Sequence, residues 1–170
     1  SAGEDPLAHY LSVVGDKTGS LIAASARFGA MVSGAPTEIK ETLTVFGEKI
    51  GVAFQLVDDV IDIASDSFES GKTPGTDLRE GVPTLVTLNV IAMNRPEDRE
   101  LIGLLQSPIK DEATVLQVIQ TLRTHPALEI SRQQTLQYAH DARKALGPLP
   151  VGDVTGALYS LCDAIIDRSA

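Results

Sequence analysis

Three aspartates fall within five residues of the run Phe54-Gln55-Leu56-Val57-Asp58-Asp59-Val60-Ile61-Asp62, which is otherwise apolar on its packing side. On a helix of about 3.6 residues per turn, Asp58 and Asp62 share a face, Gln55 lies one turn before them, and Asp59 turns further away. That face borders the apolar stripe and does not oppose it. Carboxylates crowded in this way repel one another along the helix, and in a cleft each raises the pKa of the others. A divalent cation removes the conflict. Hard Mg²⁺ suits such oxygen donors, because it takes one or two carboxylates and leaves its other positions to water and phosphate oxygens. A solvated acidic face is the plainer reading of an isolated Asp-Asp-x-x-Asp. An EF-hand is disfavoured by the helical setting and by the lack of a glycine at the sixth loop position.

Two further stretches bear on this choice. Downstream comes Gly71-Lys72-Thr73-Pro74-Gly75-Thr76-Asp77-Leu78, where glycines let the backbone approach a ligand and Lys72 offers a mobile point charge. Upstream, Tyr10 is followed by Lys17-Thr18-Gly19-Ser20-Leu21, a lysine and a hydroxyl among small apolar residues. Lys17 by itself also reads as a snorkelling surface lysine. Taken together, a carboxylate cluster, two lysines and a glycine-rich loop make what a diphosphate needs: metal on one side and ammonium groups on the other.

The elements that must position these groups read as helix almost throughout, and the fold class is all-α. Asp5-Pro6 caps and opens a first segment that runs to about Gly34. Pro36-Thr37-Glu38 opens the most periodic run, with Ile39, Leu43, Phe46, Ile50, Phe54, Val57 and Ile61 at steps of three or four. Between Ser65 and Gly81 the pattern collapses into turn formers and polar residues, which predicts a long surface loop of the kind that binds ligands. Helices are expected over about Thr84 to Asn94, Glu97 to Gln106, Ile109 to Thr124 and Pro126 to Leu146, with a final one capped by Asp153. No strand signal or fixed-period repeat is present.

Composition narrows the classes. At 170 residues, 43% hydrophobic and 22% charged, the chain can bury a core and is not of disordered composition. The net charge of −9, with no lysine or arginine cluster, argues against a nucleic-acid surface. A single cysteine, Cys162, permits neither an internal disulfide nor a thiolate zinc cluster and fits a reducing compartment. The longest charge-free stretch, Gly81 to Asn94, has 14 residues, short of the ~20 that a membrane helix requires. The expectation is a soluble, cytoplasmic protein with no transmembrane segment and no nucleic-acid partner.

Phe-Gln-x-x-Asp-Asp-x-x-Asp, followed by Gly-Lys-x-x-Gly-x-Asp-Leu and preceded by the Lys-Thr pair, resembles the carboxyl-terminal half of the trans-isoprenyl (polyprenyl) diphosphate synthases. The likeness runs from about Tyr10 to the final Ile-Ile-Asp-Arg-Ser. It implies an isoprenoid-synthase-type helical bundle and an Mg²⁺-dependent prenyltransferase of isoprenoid biosynthesis, usually a homodimer, that joins an allylic diphosphate to isopentenyl diphosphate. Asp58, Asp59 and Asp62 would then be the second aspartate-rich motif, binding Mg²⁺ held by the allylic diphosphate. Lys17 and Lys72 would contact that diphosphate, with Thr18 and Gln55 near the reacting allylic carbons.

The departures are equally informative. Members of the family are roughly twice this length, and their amino-terminal half carries a first Asp-Asp-x-x-Asp, the arginines for isopentenyl diphosphate and the residues that set product length. The only Asp-Asp pair in this chain is Asp58-Asp59. Many members have Gly-Lys-x-Thr where this chain has Gly81-Val82-Pro83-Thr84, so one basic contact is missing. The expectation is a single helical domain over residues 1–170, a fragment lacking the amino-terminal half and inactive alone. The alternative is a catalytically silent helical module for dimerisation or regulation.

Overall fold

A computed structural model describes residues 5–65 and 73–169, and every regular element among them is helical. The elements are α1 (Pro6–Val14), a π turn (Gly15–Gly19), α2 (Ser20–Val32), α3 (Thr37–Ala64) and α4 (Thr76–Glu80). They continue with α5 (Leu85–Met93), a 3-10 turn (Pro96–Asp98), α6 (Arg99–Leu105), α7 (Glu112–Thr124), α8 (Pro126–Ala145) and α9 (Asp153–Ser169). No helix among the described residues is long and apolar enough to cross a membrane. The chain divides into two compact units, one made of the residues up to Tyr10 with Asp58–Gln133, the other of Leu11–Val57 with the residues from Gln134 onward.

In the first unit, Val60 and Ile63 of α3, Leu78 of α4, Val86 and Val90 of α5, and Val115, Val118, Ile119 and Leu122 of α7 form one buried cluster. Residues Leu85 to Val90 of α5 are all buried, the polar Thr87 and Asn89 among them. Its start is set by Thr84, whose backbone N–H reaches the Thr87 hydroxyl at 2.9 Å in a reciprocal capping box. Asp111 caps α7 by accepting the Thr114 N–H at 2.8 Å, which is why that helix opens at Glu112 and not at Ile109. At the turn into α8, the His125 Nδ1 accepts the Ala127 N–H at 3.1 Å, and its Nε2 lies 3.0 Å from Asp98.

In the second unit, α2 and α3 cross where neither carries bulk. A Cβ on Gly47 would stand 2.5 Å from the Ala23 Cα, and one on Gly51 would stand 2.9 Å from the Gly19 Cα. The end of α8 and α9 bury Ala139, Ala142, Leu146, Cys162 and Ile165, and the Arg143 guanidinium lies over the Tyr159 ring at 4.8 Å.

Two local features depart from the sequence expectation. The first segment is not uniformly α-helical: the Ser20 N–H reaches back to the Gly15 carbonyl, five residues away, and opens a wide turn around Lys17-Thr18. The expected loop contains α4, a short helix flanked by Gly75 (φ 77°) and Gly81 (φ 70°). Both glycines occupy the left-handed region that other residues avoid, which lets the chain enter and leave α4 abruptly.

Candidate functional site

Asp58, Asp59 and Asp62 lie in the last two turns of α3, yet their surroundings differ sharply. Asp59 is the buried member, 4% exposed, and its Oδ2 accepts both the Leu85 N–H at 2.8 Å and the Tyr10 hydroxyl. It turns away from the Asp58/Asp62 face, into the protein, where its charge complements the amino-terminal end of α5. Burial and the adjacent carboxylate hold the Tyr10 phenol protonated far above its ordinary range.

Asp62 is half-buried and fastened to the returning loop. Its carbonyl accepts the Gly75 N–H at 3.1 Å, and its Oδ1 accepts the Thr76 N–H at 3.3 Å. The other oxygen, Oδ2, is buried and has no hydrogen-bond partner among the described residues. Burial raises the pKa of Asp62 against the downward pull of the neighbouring N–H groups and the Arg79 charge.

A fourth carboxylate joins these three. Asp77, on α4, is pushed up to about 6, first by burial and then by Asp62, Asp59, Glu80 and Asp58. In the sequence, Asp77 stands within the glycine-rich stretch with no role attached to it. The signal that could have found it is its place two residues after the loop's tight glycine, where a short helix turns back toward the acidic run.

Among the described residues, no three acidic, histidine or cysteine side chains form a ready-made metal cage. A hard divalent cation at this site would take one or two carboxylates and complete its shell with water and phosphate oxygens. The unpartnered Asp62 Oδ2 and the mutual repulsion felt at Asp77 are what such a cation would relieve. The donor set therefore fits a hard divalent ion.

Of the other expected site residues, Lys17 and Thr18 occupy the π turn, Lys17 exposed and Thr18 half-buried. π turns recur at functional positions because they displace side chains from the regular helical face. The Thr18 carbonyl would lie 3.1 Å from a Cβ on Gly51, and Gln55 follows Gly51 by one turn on the same face of α3. The structure thus brings the Lys17-Thr18 turn onto the stretch of α3 that carries Gln55. Lys72 lies outside the described residues. Val82, at the position of the missing basic contact, is exposed.

Comparison with known proteins gives the same family from sequence and from fold. The family model for polyprenyl synthetase matches residues 2–122. A nonaprenyl diphosphate synthase of Mycobacterium tuberculosis is 45% identical over 170 residues, 99% of this chain and 50% of the relative. A Corynebacterium glutamicum geranylgeranyl pyrophosphate synthase, solved with calcium and isoprenyl diphosphate, superposes with a TM-score of 0.87 at 38% identity, covering 97% of this chain and 51% of that one. A polyprenyl synthase from Caulobacter crescentus, also with calcium and isoprenyl diphosphate, gives 0.84 at 33% identity over 96% of this chain and 50% of that one. The chain spans about half the length of the curated relatives it matches. With the acidic run, the glycine-rich return and the Lys-Thr turn set in a fold of this likeness, the chain belongs to the polyprenyl synthetase family.

Proposed function

We propose that the chain is the carboxyl-terminal half of a polyprenyl diphosphate synthase, which binds the Mg²⁺-complexed diphosphate of an allylic substrate for condensation with isopentenyl diphosphate. The observation that carries this reading is the meeting of Asp62, with a buried oxygen left without a partner among the described residues, and Asp77 on a chain of this family. Asp58 and Asp62 are the direct carboxylate donors. Asp59, already engaged by Leu85 and Tyr10, holds the end of α3 in place and acts on the ion as a nearby charge. Lys17 and Lys72 take the phosphate oxygens, and Thr18 and Gln55 flank the allylic carbons.

The diphosphate is a poor leaving group until its developing charge is neutralised, and bound Mg²⁺ supplies that neutralisation. The protein's part is to hold carboxylates and ammonium groups in place before ionisation, so that little reorganisation accompanies charge separation. The homodimer usual in the family is part of the proposal, and the exposed apolar residues Leu21, Phe28 and Val32 of α2 favour self-association. Sedimentation showing only monomer at micromolar concentration would remove that element. The cytoplasmic setting belongs to the same reading.

The test is titration of the 170-residue chain with an allylic diphosphate, with and without Mg²⁺, alongside an elongation assay with labelled isopentenyl diphosphate. Metal-dependent binding without elongation is expected. Robust elongation would refute the inactivity of these residues alone, and absence of metal-dependent binding would favour the silent helical module.

A further inference from the structure

Arginines outside the carboxylate cluster hold both the end of α3 and the residues that lead into α4. At the outgoing end, Arg123 of α7 donates from Nε to the Ile63 carbonyl at 2.9 Å and from Nη2 to the Ser65 carbonyl at 2.6 Å. These are carbonyls that the end of a helix leaves open. At the returning end, Arg79 donates from Nη1 to the Pro74 carbonyl at 2.6 Å. The other edge of its guanidinium grips Glu112 with two bonds, Nε to Oε2 at 3.1 Å and Nη2 to Oε1 at 2.6 Å.

Glu112 is a rigid anchor because it opens α7, whose first turn Asp111 caps. The same region is tied again by the Ile109 N–H to the Leu78 carbonyl at 3.0 Å and by the Lys110 ammonium to the Arg79 carbonyl at 3.1 Å. A solvent-facing ion pair adds little to stability, and the Glu112 side chain is 63% exposed. A planar fork with a third bond to a loop carbonyl is suited instead to fixing geometry. Pro74 immediately precedes Gly75 and Thr76, the two residues whose N–H groups meet Asp62.

We propose that Arg79, held by Glu112, is a positioning residue that sets the returning loop so that Asp62 and Asp77 face one cation. The proposal rests on the Mg²⁺-diphosphate reading above. Its test uses the 170-residue chain with Mg²⁺ and inorganic diphosphate, following Mg²⁺ affinity by calorimetry and amide hydrogen exchange of the metal-free chain by NMR. Arg79→Lys and Glu112→Gln are each expected to weaken Mg²⁺ about tenfold, the usual order for the loss of an outer partner of a metal ligand. The double variant should be no worse than either single one, because both break one clamp. Both should speed exchange at Gly75 and Thr76 while leaving α5 unchanged, which distinguishes a positioning role from general loss of stability.

Lysine keeps the charge but not the fork, so wild-type affinity in Arg79→Lys would overturn the proposal, as would wild-type exchange at Gly75 and Thr76. A wild-type chain that takes up no Mg²⁺ with diphosphate would overturn the functional reading itself, and the clamp's role toward a cation with it. Unchanged affinity in variants of a wild type that does bind overturns the positioning role alone.

Discussion

The backbone N–H of Leu85 donates to the Asp59 carboxylate at 2.8 Å, so a residue of the acidic run on α3 caps the first turn of α5. Asp59 thereby differs in kind from Asp58 and Asp62, although the three read as one motif. Replacing Asp59 with alanine leaves the Leu85 N–H and the Tyr10 hydroxyl without this partner. Unfolding in urea should show a loss of about 1–3 kcal/mol, the cost of a buried donor left unmade. Asp58→Ala and Asp62→Ala should change stability little and weaken Mg²⁺ binding instead, Asp58 most. In a chain restored to full length, turnover should fall in the order Asp58→Ala, Asp62→Ala, then Asp59→Ala once corrected for the folded fraction. Equal, wild-type-like rates in all three would remove the metal-site reading.

Tyr10→Phe removes only the hydroxyl that donates to Asp59, and a loss of about 1 kcal/mol is expected. The effect should vanish in an Asp59→Ala background, since the two groups share one interaction. Additive losses in a double-mutant cycle would mean that the hydroxyl acts through a partner other than Asp59.

The pH dependence of the metal-free chain follows from Asp77. Its folded pKa, pushed up to about 6, lies above the ordinary carboxylate value, so between those two values the folded state binds the proton more tightly than the unfolded state. Stability therefore declines as pH rises through that window, and the penalty is complete above it. Asp77→Asn should raise the melting temperature at pH 7.5 in the presence of a chelator, with the gain disappearing near pH 4. A gain of the same size at both pH values would place its origin elsewhere than in this carboxylate's charge.

Glycine substitutions separate close approach from helix propensity. Gly47→Ala sets a Cβ 2.5 Å from the Ala23 Cα, backbone against backbone, and should cost about 1–3 kcal/mol or prevent folding. Gly29→Ala, in α2 with nothing within 4 Å of the added Cβ, should stabilise by up to about 1 kcal/mol through helix propensity. Melting temperatures that shift the same way in both variants would show that the α2–α3 crossing is looser than described.

What could be read in the sequence was governed by distance along the chain. The steps of three and four from Ile39 to Ile61 announce α3, and prolines and capping residues mark most of the helix starts. The type of each acidic residue was also legible, and so was the turn of Asp59 away from its neighbours. Its destination was not, because the Leu85 N–H lies 26 residues away and the Tyr10 hydroxyl 49. The same holds for Asp77, whose raised pKa arises from burial and then from carboxylates brought to it by the fold. The short α4 was hidden because five helical residues between two glycines look like a turn-rich loop. The π turn was hidden because Gly15-Asp16-Lys17-Thr18-Gly19 has no periodicity of its own.

That wide turn behaves as one extra residue spliced into a helix, and an extra residue is about 100° of rotation. Deleting a single residue from Gly15–Gly19 could restore regular α-helical bonding from α1 into α2 while turning everything after it to a different compass bearing. Gly19 and Ala23 would leave the crossing with α3, and bulkier neighbours would rotate into their place. A change that improves the local hydrogen bonding would thus jam the joint on which the second unit is built. The irregularity works as a phase adjuster, keeping the small residues of one helix in step with the glycines of the next.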